Sequence, residues 1–273
     1  KITKIKQEIK CKPSKRVNKI VVENFESKTP QELNDIAVKP FADYDINAFA
    51  KQDNFKTKNL DLLYDDKLCM YDKSAIEENL LFLQKNNYLG IIVIKSTVEP
   101  ETTNKLSIKY NLKIIHNPEF LTARTAFDDF HNQKHIVLGK GIVSTFEDVN
   151  TVKNFYEKYY PDADISISSS LESESMKSFC NSFYSVKVQF FTELYCLCQK
   201  NGCDYNKVKN MMLKNNWINE MHTIIPGPDG MISYGGACFP KDTNALNKYM
   251  VSLDSPNKVI EACIEERNSM RND

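Results

Sequence analysis

The residue types best suited to covalent chemistry lie in one short segment near the carboxyl end of the chain. The segment reads Ser233-Tyr-Gly-Gly-Ala-Cys-Phe-Pro-Lys-Asp242, so the thiol of Cys238 follows two glycines. Glycines let the backbone approach a ligand closely. Lys241 favours the thiolate form of a nearby cysteine, and Asp242 is suited to act as a base or to orient one. A loop with an incidental cysteine is the alternative, and the local chemistry favours neither interpretation.

A second group of polar residues lies on a long helix that the sequence predicts from 172 to 200. Lys177 and Asn181 are four residues apart, so they share one helical face. Hydrogen-bond donors held in fixed positions stabilise a developing oxyanion. A solvated Lys–Asn edge is the simpler interpretation of this pair taken alone.

The elements predicted to position these groups are alternating strands and helices up to residue 169, and helices alone after it. Gly90 to Ile94 is a continuous apolar run, which is typical of a strand buried on both faces. Other strands are predicted at 20–22, 113–115, 136–138 and 165–168, with helices at 29–37, 74–85 and 149–159, and a helical or irregular segment at 121–130. Helices follow at 172–200, 204–213, 242–249 and 256–270. The pattern predicts an α/β domain with a parallel sheet (21–169) and an all-α domain around a long central helix (170–273).

The composition narrows the class of protein. The chain has 273 residues, of which 41% are hydrophobic and 26% charged, which is typical of a folded globular protein. Its net charge of zero argues against a polyanion binder as a whole. Residues 1–20 nevertheless carry eight basic side chains against one acid, Glu8. This basic arm is either a solvated tail or an anchor for nucleic acid or for an acidic assembly partner.

Membrane and metal functions find no support in the sequence. The apolar runs fall far short of the roughly 20 residues that cross a bilayer, and no signal-peptide pattern opens the chain. The eight cysteines form no Cys-x-x-Cys pair and have no histidine at zinc spacing, so no metal site is expected. Cys196, Cys198 and Cys203 are interpreted as small buried hydrophobic residues. Free thiols in a reducing, cytoplasmic compartment fit this usage best.

Five segments resemble, in order, the motifs of the UDP-glucose/GDP-mannose dehydrogenase family. They are Lys95-Ser-Thr-Val98, Asn117-Pro-Glu-Phe-Leu121, Glu174 to Phe183 as Glu-x-x-Lys-x-x-x-Asn, His222 to Gly230, and Tyr234-Gly-Gly-Ala-Cys-Phe-Pro-Lys-Asp-Thr-Asn-Ala-Leu246. The likeness covers about residues 70–270 and is closest to a short subgroup that lacks the family's third domain. It implies a homodimer whose interface includes the long helix, with Phe183, Tyr184, Phe190 and Phe191 either in that interface or in the core.

The resemblance implies a four-electron oxidation of a UDP-sugar, in which the 6-hydroxyl passes through an aldehyde and a thioester to the acid while two NAD are reduced. Cys238 is then the nucleophile, and Lys177 and Asn181 stabilise the oxyanion. The positions that order or activate water or exchange protons are Asp242, Thr97 and Glu119. The matching substrate-binding positions are Phe120, Leu121, Tyr234, Gly235, Gly236 and Lys241.

Several departures from the family pattern concern the cofactor. The family's first strand–helix turn carries Gly-x-Gly-x-x-Gly, whereas the first glycine here is Gly90. Thr122-Ala123-Arg124 stands where a glutamate near the nicotinamide is usual, and Trp217 replaces a substrate-binding arginine. The turn Thr-Val-Pro-x-Gly-Thr has become Thr97-Val-Glu-Pro-Glu-Thr102. No cofactor-binding residue is identified, and the first domain is interpreted as an eroded Rossmann-like domain.

Two classes of function follow, together with an intermediate one. Because residues 1–70 already fill the place of the first βαβ unit, we expect a homologue that has lost NAD binding rather than an incomplete chain. One hypothesis is an NAD-dependent nucleotide-sugar 6-dehydrogenase. The second is a non-catalytic structural or interaction protein of a larger assembly, for example a virion component, which would then be found in the virion. The third is a module that binds a nucleotide sugar without oxidising it.

Overall fold

The computed structural model describes residues 18–23, 58–60, 64–65, 70–121 and 125–271. Side chains are described from residue 70 onward, except at 122–124 and 126–127. Three features of the sequence lie outside these ranges: residues 1–17 of the basic arm, the helix predicted at 29–37, and Thr122-Ala123-Arg124.

The strands of the α/β part form one main sheet and one small hairpin. The main sheet has the order β2-β1-β5-β6-β7-β8, and β3 pairs with β4 separately. The strands are β1 (Asn18–Glu23), β2 (Lys58–Leu60), β3 (Tyr64–Asp65), β4 (Met70–Tyr71), β5 (Ile91–Ile94), β6 (Ile114–His116), β7 (His135–Lys140) and β8 (Asp164–Ser169). Each strand predicted from the sequence is present within two residues of its expected bounds.

The α/β class is confirmed, but the sheet is mixed rather than wholly parallel. Strands β5 and β6 are parallel, with Ile92 opposite Ile114, and β7 and β8 are parallel. Strand β7 runs antiparallel to β6, and β1 runs antiparallel to both β2 and β5. Because β7 starts at the edge where β6 ends, the connection 117–134 begins and ends at that edge. This is the edge at which Lys95 and Asn117 follow their strands.

Among the described residues, helices occupy the expected places, with one addition. They are α1 (Ser74–Lys85), α2 (Thr102–Tyr110), α3 (Ala126–His131), α4 (Phe146–Tyr159), α5 (Ser170–Asn201), α6 (Tyr205–Leu213), α7 (Phe239–Ser252) and α8 (Lys258–Met270). Helix α5 starts with a capping box between Ser169 and Glu172 and ends at Gly202, whose φ is 78°. Helix α2 was not predicted. It opens with two β-branched residues after Glu101, whose left-handed φ of 74° is unusual for a residue other than glycine.

The core of the α/β part has two layers because β5 is buried on both faces. Ile92 and Ile94 pack with α1 and α2 on one face. Ile91 and Val93 pack with β7 and α4 on the other face. The four residues alternate in side-chain direction, so an unbroken apolar run supplies both layers.

Helix α5 joins the sheet to the helical part of the chain. A third core cluster of Phe191, Cys198, Tyr205 and Ile225 lies between α5, α6 and the following loop. The buried face of α5 carries the small residues Ser170, Ser173, Ser178, Ser182 and Ser185, of which Ser170 and Ser173 face Gly139 of the sheet. An added Cβ at Gly139 of β7 would lie 2.5 Å from Cβ of Ser173. Small side chains on both elements therefore let helix and strand approach closely.

Two expectations about side-chain burial hold only in part. Of the three clustered cysteines, only Cys198 is buried; Cys196 is half-buried and Cys203 is exposed. Cys203 follows the Gly202 cap and has left the helix, which explains its exposure. Among the aromatic residues of α5, Phe191 is in the core, while Phe183 and Phe190 are 62% and 52% exposed. The last two lie on the opposite face of the helix from the core.

The described ranges show neither a membrane-spanning helix nor a metal cluster. No helix there has the length and apolar character that a bilayer crossing requires. No cluster of three or more histidine, cysteine, aspartate or glutamate side chains there is arranged to hold a metal ion.

Candidate active site

Cys238 lies at the start of helix α7. It is the N-cap residue of the helix, its side chain is half-buried, and its carbonyl accepts a hydrogen bond of 2.9 Å from the amide of Asp242. The thiol therefore lies at the amino end of a helix, which carries partial positive charge. Gly236, two residues earlier, has a φ of 78°, where glycine avoids the steric cost that other residues meet.

Asp242 lies one helical turn after Cys238 and is 1% exposed. Its Oδ2 accepts a hydrogen bond of 2.5 Å from Nδ2 of Asn181 on α5. Its Oδ1 accepts a charge-assisted bond of 2.5 Å from Nζ of Lys241 and a further bond from the hydroxyl of Tyr71. Three donors from three segments therefore stabilise a buried carboxylate, which would be costly without them.

Lys177 lies one turn before Asn181 on α5 and is also buried. Its Nζ lies 4.8 Å from the ring centroid of Phe120, a cation–π distance. Phe120 in turn stacks on His135 at 6.2 Å between ring centroids. The pair on α5 is therefore not a solvated edge, since both Lys177 and Asn181 face other parts of the site.

A polar network occupies the ends of β5 and β6. The side-chain Oδ1 of Asn117 accepts bonds of 2.8 Å from Nζ of Lys95 and 2.5 Å from the hydroxyl of Tyr156. Glu119 is half-buried, and its Oε1 lies 3.7 Å from Nζ of Lys95. That oxygen is buried and accepts no hydrogen bond from the described residues. The carboxylate of Glu119 thus lies beside the buried ammonium group of Lys95 at this edge of the sheet.

His116, the last residue of β6, fixes the sheet against α5. Its Nδ1 lies 2.8 Å from Oγ of Ser173, and its Nε2 lies 3.3 Å from the carbonyl oxygen of Ser96. Burial lowers the pKa of His116 to about 3, and the charges of Lys95 and Lys177 act in the same direction. The imidazole is therefore neutral at physiological pH and serves as a structural bridge between two site segments.

Glu174, one turn before Lys177, ties α5 to α2. Its Oε1 accepts a hydrogen bond of 2.7 Å from the amide of Thr103 in the first turn of α2. The side chain is fully buried, and burial raises the pKa of Glu174 to about 7, against the lowering effect of its hydrogen bonds from α2. A carboxyl group at a helix amino end compensates the unpaired amides there.

The loop before Cys238 is held by the carboxyl-terminal arginines and by α5. Arg267 bonds the carbonyl of Tyr234, and Arg271 bonds the carbonyl of Ser233 at 3.2 Å and the carboxylate of Asp229 at 2.7 Å. Gly235 has no room for a side chain, because a Cβ there would collide with the Arg271 guanidinium. The side chain of Tyr234 is buried, and burial raises its pKa well above the usual range.

The predicted site residues thus fall into two connected groups. Asn181, Lys241, Asp242 and Cys238 surround the start of α7, while Lys177 and Phe120 meet beside the end of β6. Thr97 and Leu121 are half-buried at the same sheet edge. Sequence reasoning missed Tyr71, His116 and the roles of Lys95 and Asn117. For His116 the signal was its place between an apolar run and Asn117-Pro-Glu; Tyr71 had no local signal.

Two family models match most of the chain from residue 65 onward. Residues 65–160 match the family model for the UDP-glucose/GDP-mannose dehydrogenase NAD binding domain, and residues 171–269 match the model for the central domain of the same family. The chain therefore belongs to the UDP-glucose/GDP-mannose dehydrogenase family.

Individual relatives carry the names of nucleotide-sugar dehydrogenases. The UDP-glucose 6-dehydrogenase TuaD of Bacillus subtilis is 31% identical over 195 residues, covering 68% of this chain and 40% of that protein. The UDP-glucose 6-dehydrogenase of Rickettsia bellii is 32% identical over 212 residues, covering 73% and 46%. A UDP-glucose dehydrogenase structure from Pyrobaculum islandicum shares the fold at a TM-score of 0.65 and 24% identity, covering 74% and 47%.

The chain spans less than half the length of these relatives. None of the relatives named here is a structural protein, so the alternative hypothesis of an assembly or virion component gains no support from them.

Proposed function

We propose that this chain carries the sugar-oxidising thiol site of a nucleotide-sugar 6-dehydrogenase that acts on a UDP-sugar. The observation that supports the proposal most strongly is the convergence on Asp242. Asn181 from α5 and Lys241 from α7 both bond its carboxylate one turn after Cys238. A nucleophile, a carboxylate and amide donors gathered around one helix start are what acyl chemistry through a thiol requires.

The covalent step at the aldehyde level is redox-neutral. The sulfur of Cys238 forms a bond to C6 of the aldehyde, the thiol proton leaves, and the carbonyl oxygen gains a proton to give a thiohemiacetal. Lys177 and Asn181 donate to that oxygen as its negative charge develops. Their burial means that the charge meets fixed donors in place of mobile water.

The hydrolytic step converts a thioester to the free acid and regenerates the thiol. A water oxygen bonds to C6, the carbon–sulfur bond breaks, and the sulfur takes a proton. We assign the ordering of that water to Glu119 and Thr97, with Asp242 on the side of Cys238. The Oε1 of Glu119 lies 3.7 Å from the ammonium of Lys95 and accepts no hydrogen bond from the described residues, so it has the capacity to accept one from a water.

NAD, the hydride acceptor of the proposed oxidation, is included in the proposal only because the chain belongs to this family. In a Rossmann fold the dinucleotide pyrophosphate lies at the carboxyl end of the first parallel strand, beside a glycine-rich turn. Strand β1 runs antiparallel to β5, so its carboxyl end lies at the sheet edge opposite Lys95, and the first 89 residues contain no glycine. The described residues therefore do not fit that phosphate site, and no hydride step is assigned to them.

Dimerisation through α5 is part of the same proposal. Four apolar side chains of this helix are at least half exposed and lie four or seven residues apart, so they share one face: Phe179, Phe183, Phe190 and Leu197. An exposed apolar stripe of this length is typical of a surface covered by a partner.

The proposal is tested by measuring how substrates protect Cys238. UDP-glucose 6-aldehyde should block alkylation of Cys238 by iodoacetamide, read by peptide mass spectrometry, and leave the exposed Cys203 reactive. If NAD binds this chain, the wild type and C203A should form NADH from UDP-glucose and NAD, and C238A should not. The proposal fails if the aldehyde gives no protection and calorimetry detects no binding of UDP-glucose.

NAD is tested separately by calorimetry. Micromolar binding would support NAD as the oxidant of this chain. An absence of binding at millimolar NAD in a folded sample, together with protection by the aldehyde, would restrict the function to the thiol chemistry.

A further inference from the structure

Tyr71 reaches the candidate site from a distant part of the sequence. It lies in β4, its side chain is buried, and its hydroxyl donates a hydrogen bond to Oδ1 of Asp242, 171 residues further along the chain. Nζ of Lys241, which bonds the same Oδ1, lies 4.7 Å from the Tyr71 ring centroid. Tyr71 therefore contacts Lys241 and Asp242, which are the first two polar side chains of α7 after Cys238.

Burial fixes the direction of this hydrogen bond. Burial, followed by the negative charge of Asp242, raises the pKa of Tyr71 well above its usual value, and Glu99 and Cys238 contribute in the same direction. The phenol therefore keeps its proton and serves as a donor. The contribution of Cys238 also means that the phenol lies within electrostatic reach of the nucleophile.

Glu99 anchors the segment that carries Tyr71. Its Oε1 accepts a hydrogen bond of 2.8 Å from the Tyr71 amide, and its Oε2 pairs with Nζ of Lys73 at 2.7 Å. Glu99 stands where the family turn Thr-Val-Pro-x-Gly-Thr has proline. Proline could not make these bonds, so the departure from the family pattern has a structural consequence at the site.

We propose that Tyr71 is a positioning residue of the thiol site, held by Glu99, that fixes the carboxylate of Asp242 beside Cys238. Without the phenol, Oδ1 still accepts the bond from Lys241, which is a neighbour on the same helix and does not tie the carboxylate to another segment. With it, the carboxylate is clamped between α5, α7 and the segment 70–73. The inference rests on the proposed function and adds a residue that the family motifs do not include.

The test compares Y71F with Y110F. The first substitution removes only the hydroxyl and keeps the ring beside Lys241. The second is a matched control, because the hydroxyl of Tyr110 also donates to a carboxylate, that of Glu77 at 3.1 Å, away from the site. For UDP-glucose oxidation, Y71F should lower kcat about tenfold, the scale of one lost hydrogen bond to a charged group, with KM within twofold. Y110F should change neither constant.

The rate of Cys238 alkylation provides a readout that does not depend on turnover. In Y71F the carboxylate of Asp242 is no longer fixed from the side of segment 70–73, so the surroundings of Cys238 change and alkylation should slow at least threefold, while Y110F matches the wild type. Unchanged alkylation in folded Y71F overturns the inference, whether or not the wild type oxidises UDP-glucose. If the wild type is inactive but alkylation slows in Y71F alone, the positioning role stands and the proposed oxidation fails.

A second variant keeps the inference testable if Y71F does not fold. E99Q retains an oxygen for the Tyr71 amide but loses the charge that holds Lys73. Its Cys238 alkylation should slow in the same direction as predicted for Y71F, and a wild-type rate would overturn the anchoring role of Glu99.

Discussion

The buried carboxyl of Glu174 makes a quantitative prediction about stability and pH. Its pKa is raised from an ordinary 4.5 to about 7, mainly by burial. Between these two values the unfolded chain has released the proton while the folded chain still holds it. The free energy of unfolding therefore falls as pH rises from 4.5 to 7, and this contribution is constant above pH 7.

The size of the effect follows from the same two values. The difference between 4.5 and about 7, at about 1.4 kcal/mol per pH unit, corresponds to about 3 kcal/mol. In E174Q the amide oxygen can still accept the Thr103 amide, and the side chain has no charge at any pH. The stability of E174Q relative to the wild type should therefore rise by about 3 kcal/mol between pH 4.5 and pH 8.

The assay is urea unfolding followed by circular dichroism at several pH values between 4.5 and 8. E172Q is the matched control, because Glu172 lies two residues away on α5 but is exposed. Hydrogen bonds from Ser169 hold the pKa of Glu172 below its usual range, so this carboxyl is largely ionised in the native state throughout the interval. The difference in free energy of unfolding between E172Q and the wild type should therefore change little above pH 5. A pH-independent difference for E174Q would refute the assignment of a neutral buried carboxyl.

Three further predictions concern packing and assembly. L138A, which truncates a fully buried side chain of β7, should lower the free energy of unfolding by about 2–5 kcal/mol in denaturant titrations; a loss below 1 kcal/mol would contradict the observed core. G235A should displace the Arg271 guanidinium and break its pair with Asp229, which lowers the Tm in calorimetry; an unchanged Tm would show that the loop adapts. F183D should convert a dimer to a monomer in sedimentation velocity at micromolar concentration, whereas F146D, at an exposed site on α4, should not; a wild type that is already monomeric would remove the dimer.

Much of the fold can be predicted from local sequence, because the apolar pattern of an element and the residues that mark its ends indicate the same structure. The run before Lys95 specifies a strand buried on both faces, and the helix bounded by Ser169 and Gly202 carries both end signals. Helix α2 escaped prediction because its first turn is β-branched and Glu101 adopts a conformation that glycine prefers. The direction of β7 was also beyond local reasoning, since strand pairing depends on where the connection 117–134 runs.

The candidate site was predictable where its residues share one element or one motif. Lys177 and Asn181 lie one turn apart, so helical geometry alone places them together. The bond between Asn181 and Asp242 spans 61 residues and needed the packing of α7 on α5. Tyr71 is further still, and no periodicity relates it to Asp242. Side chains that meet only through tertiary structure leave no local pattern.

The serine-lined face of α5 has a consequence for how the protein tolerates change. In an ordinary core, exchanging one aliphatic side chain for another is mild and introducing a hydroxyl is severe. Where Ser173 meets Gly139, side-chain size is an additional limit: valine or leucine has no space, and alanine fits but removes the Oγ that bonds Nδ1 of His116. A saturation mutagenesis map of the helix positions that face Gly139 should therefore show losses that grow with side-chain volume, with serine preferred to alanine at position 173.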